Sequence, residues 1–433
     1  MKTELLSLIS KGRRSDFVKV TSMSAVATLV KMLASFVTIK IVAKVIGPAG
    51  IALVGQFINA VSMIGSVGTG GINQGVTKLI AENKENKNEQ GEIIRHSFLV
   101  TVFSTLITAL MLFLFNRKAG SIIFHTHEYD VLIIVLALAL VLYTFNLLLL
   151  SILNGFMSFR KYIFVNIFSS IFILIVSVAL VFFFGLYGAL LNCVVSQTIV
   201  IFVTLWYVRK EDWFPLLFGK IKLKQQVFKK LGAFSAMAFT SALLFPITQI
   251  IIRSNIIDKI SLQSAGIWEG MNRFSGMYLM VVTTSISTYY LPRLSGIKEN
   301  REIRKEIFKT AKIVLPVLAF GCLIFFILRN TIISLVFTKE FTEMRYLFAV
   351  QMIGDFLKVG SWLVSFLFFA KSRTVDFIIA EVIANASMVG FSLLFISQFG
   401  LVGGVYGYAT AYFIYFLVVL YMFRKIIFVK NEN

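Results

Sequence analysis

The sequence predicts an all-α integral membrane protein with twelve transmembrane helices, and three observations support this fold class. Of the 433 residues, 58% are hydrophobic and only 15% are charged, whereas soluble domains have roughly 45–50% apolar and 25% charged residues. Apolar segments of about 20 residues recur along the whole chain, and that length crosses a hydrocarbon core of roughly 30 Å. Segments such as 98–115 do not alternate polar with apolar residues, as the strands of a membrane barrel do.

The twelve spans are taken in chain order from runs of apolar residues interrupted by charges, glycine or proline. They are residues 17–46, 49–80, 97–116, 131–158, 162–183, 186–208, 228–255, 264–292, 308–328, 344–370, 374–397 and 401–423. An even number of spans places both termini on one side of the membrane. Connections 209–230 and 293–312 each contain seven Lys and Arg residues, so the positive-inside rule predicts that they and both termini are cytoplasmic.

An internal repeat divides the chain into two halves. The segment AGIALVGQF from Ala49 recurs as AGIWEGMNRF from Ala265, and FGLYGAL from Phe184 recurs as FGLVGGV from Phe399, at offsets of 216 and 215 residues. Six spans separate the copies, so both have one orientation, and the repeat is a parallel one. The sequence thus predicts two six-helix lobes, at 1–208 and 228–433, joined by a cytoplasmic linker at 209–227. Binding sites of such transporters lie between the repeats.

Polar residues form a stripe on each of the first two spans. The first stripe consists of Ser24, Thr28, Lys31, Ser35 and Thr38, and the second of Gln56, Asn59, Met63, Ser66, Gly70, Asn73 and Thr77. Spacings of three and four residues put each set on one helix face. Such faces turn either toward a neighbouring helix or toward water. Lys31 lies too deep in its span to reach the membrane surface easily, so it is expected to face a partner or a wet cavity.

The second half contains charges within its predicted spans. Glu269 and Arg273 are four residues apart, and Asp355 and Lys358 are three apart, so each pair can meet on one helix face. Such pairs either neutralise each other as structural elements or belong to a binding site. Glu381 has no evident partner nearby in sequence, so it pairs across helices or titrates.

These charges predict a central cavity that binds an anion. Lys31, Arg273 and Lys358 would supply its cations, with Gln56 and Asn59 as further substrate contacts, and Glu269, Asp355 and Glu381 as structural or coupling charges. An anionic lipid headgroup suits such a cavity, because its tail can stay in the bilayer. A carboxylate in the bundle would allow coupling to H⁺ or Na⁺.

Other classes of function are disfavoured. The net charge of +21 is spread between the apolar segments rather than gathered into a patch, so no nucleic-acid partner is expected. No catalytic motif and no metal-ligand spacing stands out. We therefore expect no enzyme activity, no metal and no cofactor.

Several segments resemble the O-antigen flippases (Wzx-type) of the polysaccharide branch of the multidrug/oligosaccharidyl-lipid/polysaccharide (MOP) exporter superfamily, and are similar to the enterobacterial common antigen flippases. The matching segments are TLVKM at 28–32, GPAG at 47–50, GVTK at 75–78, AGIW at 265–268, YYLPRLS at 289–295, KEFTEMRYLFAVQMIGDFLKVG at 339–360, AK at 370–371 and AEV at 380–382. They contain Lys31, Arg345, Asp355, Lys358 and Glu381.

The resemblance implies a two-lobed flippase of the Gram-negative inner membrane that moves undecaprenyl-diphosphate-linked oligosaccharide to the periplasmic face. It also implies an O-antigen polymerase and a chain-length regulator as partners. Glu269 and Arg273 depart from the common-antigen pattern, in which these positions are uncharged, and this departure favours an O-antigen unit as cargo. Three alternatives stay open. They are a multidrug or cation antiporter of the same superfamily, a non-transporting membrane protein of polysaccharide assembly, and the lipid II flippase of cell-wall synthesis, which typically has additional spans.

Overall fold

The computed structural model describes residues 2–83, 86–156, 158–219, 224–285, 290–297, 299–371 and 373–428, with side chains from residue 26 onward apart from a few further positions. All regular secondary structure within these ranges is helical, which confirms the all-α class. Parts of predicted span 4, the linker, span 8 and the second lobe lie outside the described residues, at positions 157, 220–223, 286–289 and 429–433. The side chain of Ser24 lies outside them as well.

The helices are numbered in chain order. Those of the first half are α1 (Lys2–Gly68), α2 (Asn73–Glu82), α3 (Lys87–Leu114), α4 (Asn116–Phe124), α5 (Asp130–Gly155) and α6 (Phe159–Val208). Those of the second half are α7 (Gln225–Lys259), α8 (Leu262–Ser285), α9 (Leu291–Gly296), α10 (Asn300–Ile327), α11 (Arg329–Val336), α12 (Phe348–Ala370), α13 (Thr374–Phe399), α14 (Leu401–Met422) and α15 (Arg424–Ile427). Within the described ranges, two short 3-10 helices, Phe214–Phe218 and Lys339–Tyr346, occur in connections.

Two of the long helices are broken where the sequence predicts a boundary between spans. In α1 the break is at Gly47, with φ 63°, directly before Pro48. In α6 it is at Gly185, with φ 54°. A positive φ is accessible to glycine at little cost, and a proline has no N–H to continue the helical hydrogen bonds. Predicted spans 1 and 2 therefore meet at Gly47, and spans 5 and 6 meet at Gly185.

The repeated motif FGLYGAL/FGLVGGV has the same backbone in both copies. Gly185 has φ 54° and ψ −128°, and Gly400 has φ 61° and ψ −140°. A Cβ atom on Gly188 or on Gly403 would overlap the backbone carbonyl eight residues earlier in the chain. In both copies the chain therefore reverses sharply between two tightly packed helices, which agrees with the repeat found in the sequence.

The predicted end of span 2 is wrong. The helix stops at Gly68 rather than at residue 80, and α2 begins only at Asn73. Gly70 and Gly71 both have φ 66°, and two successive left-handed residues turn the chain out of a right-handed helix. The polar stripe predicted to run as far as Thr77 therefore lies on two separate helices.

Among the described residues, nine helices are long and apolar enough to cross a membrane, and α1 and α6 are each long enough to supply two spans. The polar helix α8, which carries Glu269 and Arg273, is not one of the nine. The protein is thus a multi-pass membrane protein, while the number twelve stays a prediction. Span 10 begins at Phe348 rather than at residue 344, because the residues before it form a 3-10 helix.

The arrangement of side chains is apolar outside and polar inside, as a lipid solvent requires. Phe103, Leu138 and Phe182 are 66%, 72% and 76% exposed, whereas Arg253 and Asp355 are 1% and 0% exposed. Helix α1 packs against α6, α7 and α8. This packing brings side chains of the first half directly onto charged residues of the second half.

Candidate functional site

A buried cluster of charges lies where α1, α7 and α8 meet. The carboxylate of Glu269 accepts hydrogen bonds from Arg253 on one oxygen and from Arg273 Nε on the other, the latter at 2.9 Å. The predicted meeting of Glu269 with Arg273 is therefore confirmed. Two guanidinium groups and one carboxylate leave one net positive charge. Because the surroundings are apolar, this charge is poorly screened and attracts anions.

Gln56 joins this cluster from the first half of the chain. Its Oε1 accepts from Arg253 Nη1 at 2.7 Å, and its Nε2 donates to Ser254 Oγ at 3.0 Å. The side chain is fully buried, so its amide is engaged with protein, and its contact with substrate stays a prediction. Asn59, one turn further along α1, is half-buried and forms no side-chain hydrogen bond with the described residues.

Arg253 is the member of the cluster that sequence reasoning did not single out. It lies in the run PITQIIIRSN, close to the end of predicted span 7. The structure places it at 1% exposure, with its guanidinium 5.7 Å from the centre of the Trp268 ring. The sequence signal that could have identified Arg253 is its position within an apolar run. An arginine there is costly unless an acid, such as Glu269, neutralises it.

Arg273 reaches from this cluster into a cavity of about 210 Å³ within the first half of the chain, here called the first cavity. The other walls come from both parts of α1 and both parts of α6, and they include Thr38, Ser62, Asn192 and Gln197. Only Nε of Arg273 is bonded to a described residue. The two terminal nitrogens of its guanidinium are therefore available to a ligand.

A second cavity, of about 270 Å³, lies within the second half of the chain. Lys358, Trp362, Glu381 and Tyr412 are among its lining residues. The Lys358 ammonium lies 5.2 Å from the ring centre of Trp362 and 5.0 Å from that of Tyr412, with Phe245 and Tyr408 at slightly longer range. The aromatic faces stabilise the cation through their quadrupoles.

Asp355 and Lys358 do not form the direct ion pair that their spacing predicts, since no contact within 4 Å joins them among the described residues. Asp355 is fully buried and accepts hydrogen bonds from Ser275, Tyr278 and Tyr408. The Tyr408 ring lies 5.5 Å from the Lys358 ammonium, and its hydroxyl donates to Asp355 at 2.6 Å. Tyr408 therefore contacts both charged groups, and Asp355 is satisfied by neutral donors.

Glu381 on α13 has its hydrogen-bond partner on another helix. Tyr415 on α14 donates to Oε1 of Glu381 at 3.2 Å, and both residues line the second cavity with Lys358. Of the acids predicted in the second half, Glu381 is the one that shares a cavity with Lys358.

The structure does not bring the three predicted cations into one cavity. Arg273 lines the first cavity and Lys358 the second. Lys31 is exposed on α1 and belongs to the lining of neither. It lies seven residues before Thr38, which places it about 10 Å further along the same helix face. The reason is topological, because α8 faces α1 whereas α12 packs on α14 and α10.

Comparison with known proteins finds a family model and curated relatives that match most of the chain. Residues 17–298 match the family described as "Polysaccharide biosynthesis protein". Two curated relatives, each named Lipid III flippase, come from Escherichia coli (strain K12) and Shigella flexneri. Each is 30% identical over 399 residues, which cover 92% of this chain and 96% of the relative.

Solved structures of MOP transporters have a similar fold. The inward-facing and outward-facing conformations of a multidrug resistance MATE family transporter match with TM-scores of 0.78 and 0.71, each at 15% identity. They cover 93% and 95% of this chain and 98% and 96% of theirs. A MOP superfamily transporter from Pyrococcus furiosus Vc1, described by the reverse polarity of its binding pocket, matches with a TM-score of 0.65 at 14% identity, covering 94% of this chain and 96% of its own.

Proposed function

The chain belongs to the family of polysaccharide biosynthesis proteins, and we propose that it is a flippase that moves an undecaprenyl-diphosphate-linked O-antigen unit across the Gram-negative inner membrane, from the cytoplasmic to the periplasmic face. A lipid-linked oligosaccharide is the cargo with the most direct support, because the curated relatives are named Lipid III flippase. These relatives are transporters rather than catalysts, and the chain is likewise not an enzyme. The product would be handed to a polymerase and a chain-length regulator on the periplasmic side.

An O-antigen unit is proposed because of Glu269 and Arg273, the two positions that depart from the common-antigen pattern. In the structure they form the centre of the buried cluster. A carboxylate and a guanidinium in place of two uncharged side chains, where the two halves of the chain meet, change the groups that a ligand there would contact. This supports a cargo related to lipid III and different from it.

The single observation that carries the proposal is the net positive charge of the Arg253–Glu269–Arg273 cluster beside the first cavity. A diphosphate must lose much of its hydration to enter the membrane, and that desolvation is the main barrier to flipping. Arginine offers a planar set of donors that matches phosphate oxygens. The free end of the Arg273 guanidinium would bind the diphosphate and offset part of the desolvation cost.

The proposed mechanism is alternating access between two six-helix lobes, residues 1–208 and 228–433, with both termini in the cytoplasm. The lobes would expose the diphosphate and sugars first to the cytoplasm and then to the periplasm, while the lipid tail stays in the bilayer. The matching turns at Gly185 and Gly400 support two lobes of one repeat. Alternating motion of such repeats around a site between them is common in transporters.

Lys31 and Lys358 are proposed to assist at different stages. Lys31, exposed on α1, is placed to attract the headgroup before it reaches Arg273. Lys358 and Glu381 share the second cavity, and a change in their interaction could couple transport to H⁺ or Na⁺. Asp355, which is fully bonded to neutral donors, would hold this region in place.

The test is made in a strain that lacks this chain. The lipid-linked oligosaccharide is expected to accumulate on the cytoplasmic face of the inner membrane, and a plasmid copy of the chain should relieve the accumulation. Accumulation on the periplasmic face would instead indicate a defect in polymerisation or ligation. No accumulation on either face would favour an antiporter.

A further inference from the structure

The first cavity contains a set of polar side chains that have no hydrogen-bond partner among the described residues. They are Ser62 on α1 and Ser177, Asn192, Ser196 and Gln197 on α6. None of the five forms a side-chain hydrogen bond within the part of the chain that the structure describes. Two of them, Ser177 and Ser196, are only 2% and 7% exposed, and the Oδ1 atom of Asn192 is buried without a partner.

Such groups are costly in a membrane protein. An unpaired polar group that is shielded from water costs about 1–3 kcal/mol, and lipid offers no hydrogen bonds in compensation. Some hydroxyl groups on the same helices are satisfied by the backbone, as Thr38 of the cavity lining is by the Ala34 carbonyl and Thr198, outside it, by the Val194 carbonyl. The unpaired groups that line the first cavity are available to a ligand that enters it, and hydrogen bonds to that ligand would offset their cost.

The chemistry of the lining matches a sugar. Hydroxyl and amide side chains both donate and accept hydrogen bonds, as sugar hydroxyls do. The apolar part of the wall, from Val42, Val54 and Ile58, suits the C–H faces of a ring. The volume of about 210 Å³ corresponds to roughly seven water molecules at about 30 Å³ each, which is room for a single sugar ring.

The positive charge at one wall of the cavity indicates which ring of the oligosaccharide would bind there. Arg273 lines the cavity, the terminal nitrogens of its guanidinium have no partner among the described residues, and the cluster to which it belongs carries one net positive charge. A ring placed among Asn192 and Ser196 would have its anionic substituent against Arg273. In a sugar diphosphate the anion is attached directly to the first ring.

The second cavity does not offer the same features. Its amide, Asn385, is bonded to Thr248 at 3.0 Å and to the Glu381 carbonyl at 2.9 Å. One of its two tyrosines, Tyr415, donates to Glu381. Because these polar groups are already paired with protein, they present fewer free donors and acceptors to a neutral polyol.

We propose that the first cavity is a subsite for the sugar ring bonded directly to the diphosphate, with Asn192 and Ser196 on the ring hydroxyls and Arg273 on the adjacent phosphate. This proposal rests on the proposed function and deepens it, since it assigns recognition of the first sugar to the first half of the chain. The remaining sugars of the unit would extend out of the cavity.

The test compares two lipids on the purified full-length protein in nanodiscs. One is undecaprenyl diphosphate, and the other carries a single sugar, taken in turn from N-acetylglucosamine, N-acetylgalactosamine, glucose and galactose. The wild type is expected to bind one of the sugar-bearing lipids about tenfold more tightly than the bare lipid, an increment equal to roughly one or two hydrogen bonds. The double variant Asn192→Ala/Ser196→Ala should lose this preference and keep the affinity for the bare lipid.

The matched control is Thr198→Ala on the same helix, whose hydroxyl is bonded to the Val194 carbonyl and which lies outside the cavity lining; it should keep the preference. Retention of the bare-lipid affinity shows that the double variant is folded. The subsite is contradicted if the double variant keeps the preference, or if the wild type prefers none of the four sugars while binding the bare lipid. A wild type that binds neither kind of lipid would overturn the proposed function itself.

Discussion

Glu269 holds together two arginines that would otherwise repel each other inside the membrane. Arg253 is buried, and its bonds go to Glu269 and Gln56. Arg273 is partly exposed and keeps donors free for a ligand. At the scale of single residues, Glu269 is thus the structural charge, Arg253 its buried partner, and Arg273 the charge that is offered to substrate.

This division of roles predicts a rescue. Glu269→Gln leaves two neighbouring guanidinium groups without a counter-charge, and removal of one partner from a buried ion pair costs about 3–5 kcal/mol. The variant should therefore melt at a lower temperature than the wild type in detergent. Adding Arg253→Met removes the buried cation, so the double variant should regain part of the lost stability. A double variant that is no more stable than Glu269→Gln would contradict the assignment.

The sequence predicted part of this site for physical reasons that can be named. Glu269 and Arg273 are one helical turn apart, and spacing alone brings them together. Asp355 and Lys358 have similar spacing, yet Tyr408, 53 residues beyond Asp355 in the chain, donates to that carboxylate and lies against the ammonium. Contacts between distant segments are set by tertiary packing, which the helical period of one segment does not contain.

At the scale of elements, the backbone of two glycines determines where helix pairs reverse. Gly185 and Gly400 have nearly the same positive φ and strongly negative ψ. Side chains are strained in such conformations by about 1–3 kcal/mol. The chain has no heavy atom within 4 Å of a Cβ built on either residue, so any cost of alanine there comes from the backbone and not from crowding.

We expect Gly185→Ala and Gly400→Ala each to lower the melting temperature of the purified protein. Gly390→Ala is the matched control, because Gly390 lies within α13, has open space around its Cβ position and has no positive φ. Alanine is favoured over glycine in a helix by about 1 kcal/mol, so the control should be neutral or stabilising. Equal effects at Gly390 and Gly400 would show that the turn backbone does not matter.

Helix positions were largely predictable from the sequence, whereas the end of span 2 was not. The apolar runs and the breaks at Gly47 and Gly185 placed most spans within a few residues. The prediction extended span 2 twelve residues too far, because the spacing of the polar stripe continues past Gly70. Only the left-handed backbone of Gly70 and Gly71, which depends on how the chain is packed, shows that the helix ends at Gly68.

At the scale of the whole molecule, the predicted topology places Glu302 in the cytoplasm and Glu343 in the periplasm. Both side chains are exposed, and the two native cysteines, Cys193 and Cys322, are buried. In spheroplasts, a membrane-impermeant maleimide should label Glu343→Cys and should label Glu302→Cys only after the membrane is opened. Labelling of Glu302→Cys in intact spheroplasts would invert the topology, and labelling of both would contradict the span count between them.

The arrangement of the two halves explains why the structure has two separate cavities where the sequence predicted one cationic cavity. The first cavity receives its cation from the other half of the chain, through Arg273. The second keeps Lys358 and Glu381 within its own half. Binding of the anionic headgroup is thus assigned to the contact between halves, where relative motion of the halves would change its surroundings.

The most direct test of this account is flipping by the purified protein in proteoliposomes, followed with a labelled undecaprenyl-diphosphate-linked oligosaccharide and an impermeant reagent that reads its sidedness. The wild type is predicted to flip the lipid faster than empty liposomes. Arg273→Ala should slow flipping about tenfold or more, since a hydrogen bond to a charged group is worth about 1.5–3 kcal/mol. Arg329→Ala, at an arginine that stacks on Phe326 4.4 Å away and lines neither cavity, should flip at the wild-type rate. Wild-type protein no faster than empty liposomes, or Arg273→Ala as fast as the wild type, would contradict the account.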